Sequence, residues 1–234
     1  MAVLGFCAGN TPLVLEMAYE TFNIDTFDVV KNVEIDIPES FLSWNDLNIR
    51  VFESSQYQFD DSGVEIYFGV LDPHIKYVLY HYFSKIHGVD KDRYTNIIHP
   101  ASYFAGSSLH DNGFMLDPMS MVSTKCEIGF GVTVKRSSSV GHHANIGDFV
   151  SVNPGAVISG NVSIGEGTTI GSGATIIHNI NIGKRSIVGA GSVVTKDIPD
   201  GVIAYGNPCR VMRKYERWEK ALSTLSSITD ENYQ

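Results

Sequence analysis

Counted in steps of six from Ile98, the chain places an apolar residue at nearly every stop: Phe104, Leu116, Val122, Ile128, Val134, Val140, Ile146, Val152, Ile158, Ile164, Ile170, Ile176, Ile182, Val188 and Val194. Only His110 breaks the series. Four residues after most of these stands a small side chain, as at Cys126, Ala144, Ala156, Thr168 and Ser186. A glycine often follows the aliphatic residue directly, as at Gly129, Gly141, Gly147, Gly165, Gly171, Gly183 and Gly189. A period of six is neither the 3.6 of a helix nor the two of a plain strand. It demands a turn after every short strand, and three such rungs close an 18-residue triangular coil with the aliphatic residues stacked inside. From residue 98 to about 196 this predicts between five and six coils, with the glycines relieving strain at the corners. A glycine-rich β-sandwich is the competing architecture, but it has no reason to keep strict spacing over fourteen consecutive aliphatic rungs from Leu116.

The pattern before residue 95 is different. Residues 2–6 (AVLGF) read as a short buried strand and Cys7 to Asn10 as a turn. Thr11 reads as an N-cap and Pro12 as the first residue of a helix whose apolar side carries Leu13, Met17 and Phe22. Further strands are predicted over residues 27–30 and 64–70, and a helix from Pro73 to about Lys85 bearing Ile75, Val78, Leu79 and Phe83. Alternating strands and helices imply a small parallel, Rossmann-like sheet, which presents ligands at the carboxyl ends of its strands. The turn GFCAGN lacks the full dinucleotide-binding spacing. Gly9 is either a glycine needed for a tight turn or part of a run of amides, Gly9, Asn10 and Thr11, that holds a phosphate. Asp28 is a candidate for hydrogen bonds to ribose or base, or an edge carboxylate with no special role.

Charge supports the division. Residues 1–95 hold 15 Asp or Glu against 6 Lys or Arg, residues 96–209 hold 7 against 6, and residues 210–234 hold 4 against 5. The reading is therefore an α/β domain over 1–95, a parallel β-helix of hexapeptide repeats over 96–209, and a C-terminal cap helix and tail over 210–234. A net charge of −9 without a dense basic stripe argues against nucleic acid as a partner. Three cysteines without paired spacing, no signal-peptide pattern in MAVLGFCAGNTP and no apolar run of about 18 residues make a cytoplasmic protein without a membrane span the expectation.

An α/β domain, uninterrupted hexapeptide repeats and then KDIPDGVIAYGNPCRVMRKY (residues 196–215) resemble the left-handed β-helix acyltransferases. The stretch SSVGHHANIGDFVSVNPGAVISGNVSIG (residues 138–165) narrows the resemblance to the nucleotide-sugar N-acetyltransferases of the sialic-acid, bacillosamine and perosamine type. The resemblance implies a homotrimer that binds acetyl-CoA between neighbouring β-helices, and an N-terminal domain that binds a UDP-, GDP- or dTDP-linked amino sugar. It implies no metal.

Acetyl transfer from a thioester to an amine needs a base of near-neutral pKa, for which histidine is suited. Of eight histidines, His74, His81 and His87 fall in the predicted helix region, His99 at the domain junction and His110 in core phase. His142 lies two residues after Val140, off the core phase, and 18 residues before Gly160, where a missing side chain leaves room for a thioester. His142 is the candidate base, with a surface corner residue as the plain alternative; His178, a further 18 residues on, reads as a bystander. The family motif commonly has His followed by a carboxylate. Here His143 follows, assigned a tuning role, and Asp148 or a neighbouring subunit is left to supply the carboxylate. A second family histidine falls at Ser151, a shorter donor. Gly160, Ala190, Lys196, Arg210 and Arg213 are the candidate coenzyme A positions, the cations because the cofactor is polyanionic. An O-acetyltransferase or a user of another acyl-CoA shares these features, and a non-catalytic structural β-helix has no need of the basic closing run.

Overall fold

The computed structural model describes residues 1–33, 35–42, 47–59 and 63–227. Its N-terminal part is a four-stranded parallel sheet in the order β3-β2-β1-β4. In chain order the elements are β1 (Ala2–Leu4), α1 (Thr11–Phe22), β2 (Thr26–Lys31), α2 (Glu39–Leu42), β3 (Asn48–Glu53), β4 (Ile66–Phe68) and α3 (Pro73–His87). β1, central in the sheet, is a wholly buried run, as expected of a parallel strand covered on both faces, and so is β4 at the sheet edge, where Ile66 bridges to Tyr94. β3 escaped the sequence reading because its apolar residues Ile49, Val51 and Phe52 are only half-buried at the sheet edge.

Thr11 is the first residue of α1 and not its cap; Asn10 holds the cap position. The Thr11 side chain is fully buried, accepting from the Cys7 amide at 2.8 Å and donating to the Gly69 carbonyl at 2.8 Å. It thereby fastens the turn after β1 to the turn after β4. There the two chains touch: a Cβ on Gly69 would fall 2.1 Å from the Gly5 carbonyl oxygen, so the position admits only glycine.

Residues 97–205 wind into a left-handed parallel β-helix whose two-residue strands stack into three parallel sheets, each strand pairing with the one 18 residues on, as Thr133 and Val134 pair with Ser151 and Val152. The sixth-residue aliphatics, from Leu116 to Val194, are buried and form one continuous core. The glycines directly after them are not strained corner residues. The residues with positive φ lie two positions further on, at every sixth residue from Gly113 to Gly191, and eight of these fourteen are not glycine, among them Lys125, His143, Asn161 and Asn179. Gly141, Gly165 and Gly171 are needed for a different reason: a Cβ there would meet backbone atoms of the next coil at 2.4–2.6 Å.

The coil continues past residue 196. Val202–Tyr205 adds a further parallel strand on Ile187–Val188, and Arg210–Lys214 returns antiparallel to it as an exposed edge strand. The expected basic cap helix is thus corrected. Arg210, Arg213 and Lys214 lie on a strand, and α4 (Arg217–Ser227) lies along α3 instead of over the open end of the coil. Trp218 anchors α4: it is buried, edge-on to Tyr77, and packed so closely on Gly167 that a Cβ there would come within 2.3 Å of its ring.

The N-terminal core continues into the coil through Met115, Phe130 and Phe149. Lys76 of α3 crosses the same junction fully buried, donating to the Gly131 carbonyl at 3.0 Å and to Thr133 Oγ1 at 2.7 Å. Burial, reinforced by Lys135, brings its ammonium down to about 7, against the opposing pull of Asp117 and Asp72. Among the described residues no helix is long and apolar enough to cross a membrane.

Candidate active site

His142 occupies the corner between strands Ser139–Val140 and Asn145–Ile146, exposed to solvent. Its imidazole lies against Gly160 one coil on: an added Cβ would be 2.4 Å from Cε1 and 2.5 Å from Nε2. The space left by the missing side chain is filled by the imidazole itself, which corrects the expectation of room there for a thioester. The Nδ1 atoms of His142 and His143 are 3.0 Å apart with the rings nearly perpendicular, so one imidazole donates and the other accepts. His143 sits at positive φ (56°), a conformation in which its ring turns back toward its neighbour.

The same corner carries, at intervals of one coil, His142, Gly160, His178 and Lys196. His178 and Lys196 are both exposed. At about 4.8 Å per coil, Lys196 stands roughly 14 Å from His142. Ala190 is exposed at a different corner, between Ile187–Val188 and Val193–Val194, and the protomer does not bring it to His142. Arg210 and Arg213 are exposed on the closing edge strand.

Two further candidates are placed elsewhere. Ser151 belongs to the sheet covered by the N-terminal domain and is 2% exposed, so within the protomer it does not join His142. Asp148 is committed to that junction too, accepting from the Phe130 amide at 3.0 Å and paired with Lys91 at 2.7 Å. It does not supply the carboxylate beside His142 in the protomer.

The second candidate region is the crevice at the carboxyl ends of β1, β2 and β4. A cavity of about 210 Å³ is lined there by Gly5, Phe6, Lys31, Asn32, Val33 and Val70, with Ile75 and Val78 of α3. The amides of Asn10 and Thr11 donate to the Cys7 carbonyl at 3.0 and 2.9 Å, so they are already engaged, and the buried Thr11 hydroxyl is too. Gly9 is exposed, with open space where a Cβ would be and no positive φ; the glycine demanded by sterics is Gly5. Asp28 is also corrected: it pairs in register with Ala2 at the start of β1, and its carboxylate accepts from Arg50 at 2.6 Å and Tyr57 at 3.0 Å. Of the crevice residues that the sequence reading missed, Lys31 ends β2 one residue beyond the predicted limit and Asn32 follows it.

The bacterial transferase hexapeptide (six repeats) family model matches residues 161–196. No curated protein matches the chain by sequence. Among solved structures, the acetyltransferase domain of PglB from Neisseria gonorrhoeae FA1090 in complex with acetyl coenzyme A is 24% identical, over 90% of this chain and 98% of that one, with a TM-score of 0.75. WeeI from Acinetobacter baumannii AYE is 23% identical over 91% and 100%, also at 0.75. PerB from Caulobacter crescentus in complex with CoA and GDP-perosamine is 23% identical over 90% and 96%, at 0.72.

This chain has the fold of the hexapeptide-repeat acetyltransferases. The likeness spans both the parallel sheet and the β-helix.

Proposed function

We propose that this chain is an acetyl-CoA-dependent N-acetyltransferase acting on the amino group of a nucleotide-linked amino sugar, with His142 as general base and active sites completed between the subunits of a cytoplasmic homotrimer. The observation that carries the reading is the His142–His143 pair, set against Gly160 on a corner of the coil. The fold likeness to proteins solved with acetyl coenzyme A and with CoA and GDP-perosamine supports this choice of substrates.

In the proposed reaction the sugar amine attacks the thioester carbonyl, a C–N bond forms, and His142 Nε2 takes the amine proton. The C–S bond then breaks and the departing thiolate takes that proton back from the imidazolium. Throughout, Nδ1–H of His142 donates to Nδ1 of His143, which keeps the lone pair on Nε2 and gives the imidazolium an acceptor. His143 thus does by a neutral acceptor what an orienting carboxylate does elsewhere.

Lys196, roughly three coils from His142, is placed for the phosphate end of a coenzyme A whose sulfur is at the histidine, and Arg210 and Arg213 add charge on the closing strand. The outward side chains Tyr103, Met121 and Val157 stand exposed on one sheet of the coil, an apolar face that a second copy would cover. Thiol release from acetyl-CoA, followed with a panel of 3-amino and 4-amino UDP-, GDP- and dTDP-sugars, tests the reading. Release with an amino sugar and none with its hydroxyl counterpart is expected. Release with hydroxyl acceptors only would make the protein an O-acetyltransferase, and none with either would leave a structural β-helix. Sedimentation equilibrium at a trimer's mass is expected; a mass near 25.7 kDa would refute the shared site.

A further inference from the structure

A second cavity, of about 350 Å³, opens between α3 and α4 and is lined by His74, Ile75, Val78, Arg217, Lys220 and Ala221, with Thr224 at its edge. Ile75 and Val78 also line the crevice at the strand ends, so the two cavities share a wall. Ile75 is 44% exposed on it.

The N-terminal domain is poorly equipped to hold a diphosphate. Of its six basic residues, Lys31 is paired with Glu53 at 2.7 Å, Arg50 with Asp28 at 2.6 Å and Lys91 with Asp148 at 2.7 Å, while Lys76 is buried against the coil. Lys85 lies in the last turn of α3 and Arg93 beyond it, at the end away from the crevice. Fifteen acidic residues share that domain. Arg217 and Lys220, both exposed, have no ion pair among the described residues. Asp72, whose carboxylate also feels the Arg217 charge, is engaged by the His74 amide and ring. Trp218, clamped between Gly167 and Tyr77 with the Arg185 guanidinium 5.2 Å over its ring, fixes the first turn of α4, which carries both cations.

We infer that α4 is the phosphate-binding wall of the acceptor crevice, with Arg217 and Lys220 holding the diphosphate of the nucleotide-linked sugar. The inference rests on the nucleotide-sugar reading above and adds to it which residues neutralise the ligand. The apolar wall of Ile75 and Val78 lies between these cations and Lys31–Asn32, leaving the nucleoside to the strand ends and the phosphates to the helix. Coenzyme A also carries a diphosphate, so the test separates the two sources.

Binding of UDP, GDP, dTDP and inorganic pyrophosphate to the full-length protein is measured by calorimetry for the wild type, R217Q/K220Q and R217K/K220R, alongside acetyl-CoA. Loss of two charge-assisted contacts is expected to weaken the preferred nucleoside diphosphate by about 10- to 100-fold in R217Q/K220Q. R217K/K220R should stay within about threefold of the wild type, and acetyl-CoA affinity should not change. An unchanged thermal midpoint and oligomeric mass establish that the variants fold. Equal nucleoside diphosphate binding by R217Q/K220Q and wild type overturns the inference, as does a loss confined to acetyl-CoA. Loss of diphosphate binding in a protein that acetylates no nucleotide sugar would uphold the inference and overturn the substrate reading.

Discussion

The imidazole of His142 rests on the bare backbone of Gly160, 18 residues later, closely enough that a methyl group there would sit 2.4 Å from Cε1. Only the end of an exposed side chain is in the way, so Gly160→Ala should fold with little loss of stability while pushing the ring aside. Turnover is expected to fall about 100-fold, the scale of a 1 Å misplacement of a catalytic group. Steady-state kinetics beside a denaturation curve checks this; full turnover with an unshifted His142 signal by NMR would contradict it.

The two histidines of the pair have unequal roles. His142→Ala is expected to reduce turnover by 10²- to 10⁴-fold with little change in acetyl-CoA binding. His143→Ala should cost about tenfold or less, because the base remains and only its acceptor is gone. His143→Asp should keep or raise activity, since a carboxylate is the stronger acceptor for Nδ1–H and aspartate tolerates the positive φ of this position. If His143→Ala proves the costlier change, the base moves by one residue.

Gly171 and Gly173 separate two uses of glycine within one turn. A Cβ on Gly171 would meet the Ala190 amide nitrogen at 2.5 Å, whereas Gly173 has positive φ and open space around it. Gly171→Ala should therefore cost several kcal/mol through displaced backbone. Gly173→Ala should cost about 1–2 kcal/mol of left-handed strain, and Gly173→Asn less still. Asn161 and Asn179 already occupy that conformation in other coils. Urea unfolding at fixed protomer concentration ranks the three.

Lys76 makes stability depend on pH in an unusual direction. Its folded pKa of about 7 lies below the ordinary lysine value of 10.5, so between these limits the unfolded chain binds the extra proton. Stability is then expected to rise with pH across that interval, by at most about 1.4 kcal/mol per pH unit, with no contribution below it, where both states are charged. Lys76→Met should flatten the rise. Parallel curves for the two proteins between pH 7 and 9 would assign it to other groups.

Much of the coil was legible because its rule is local and repeated. Each sixth residue has the same environment as the one before, so Leu116 to Val194 could be placed inside without knowing anything about the rest of the chain. His142 and Gly160 were legible for the same reason, since 18 residues return the chain to the same corner. What each glycine is for was not. Gly141 and Gly171 answer to the backbone of the following coil, while the left-handed turn positions tolerate lysine, histidine and asparagine.

Residues whose roles depend on a distant partner were beyond a linear reading. Asp28 gave no sign that Arg50 and Tyr57 would take its carboxylate, nor Thr11 that the Gly69 carbonyl would take its hydroxyl. Ser151 stands in a strand like any other, and only the domain lying over its sheet buries it. The basic run after Cys209 became a strand because Val202–Tyr205 offered it an open edge, and α4 went to α3 because Trp218 found a flat surface at Gly167. The sequence by itself thus determined the period, the core of the coil and the corner that bears the histidine, all set by spacing along the chain. The tertiary structure alone decided which polar groups stay free for a ligand, since that depends on the partners that folding brings from 20 to 60 residues away.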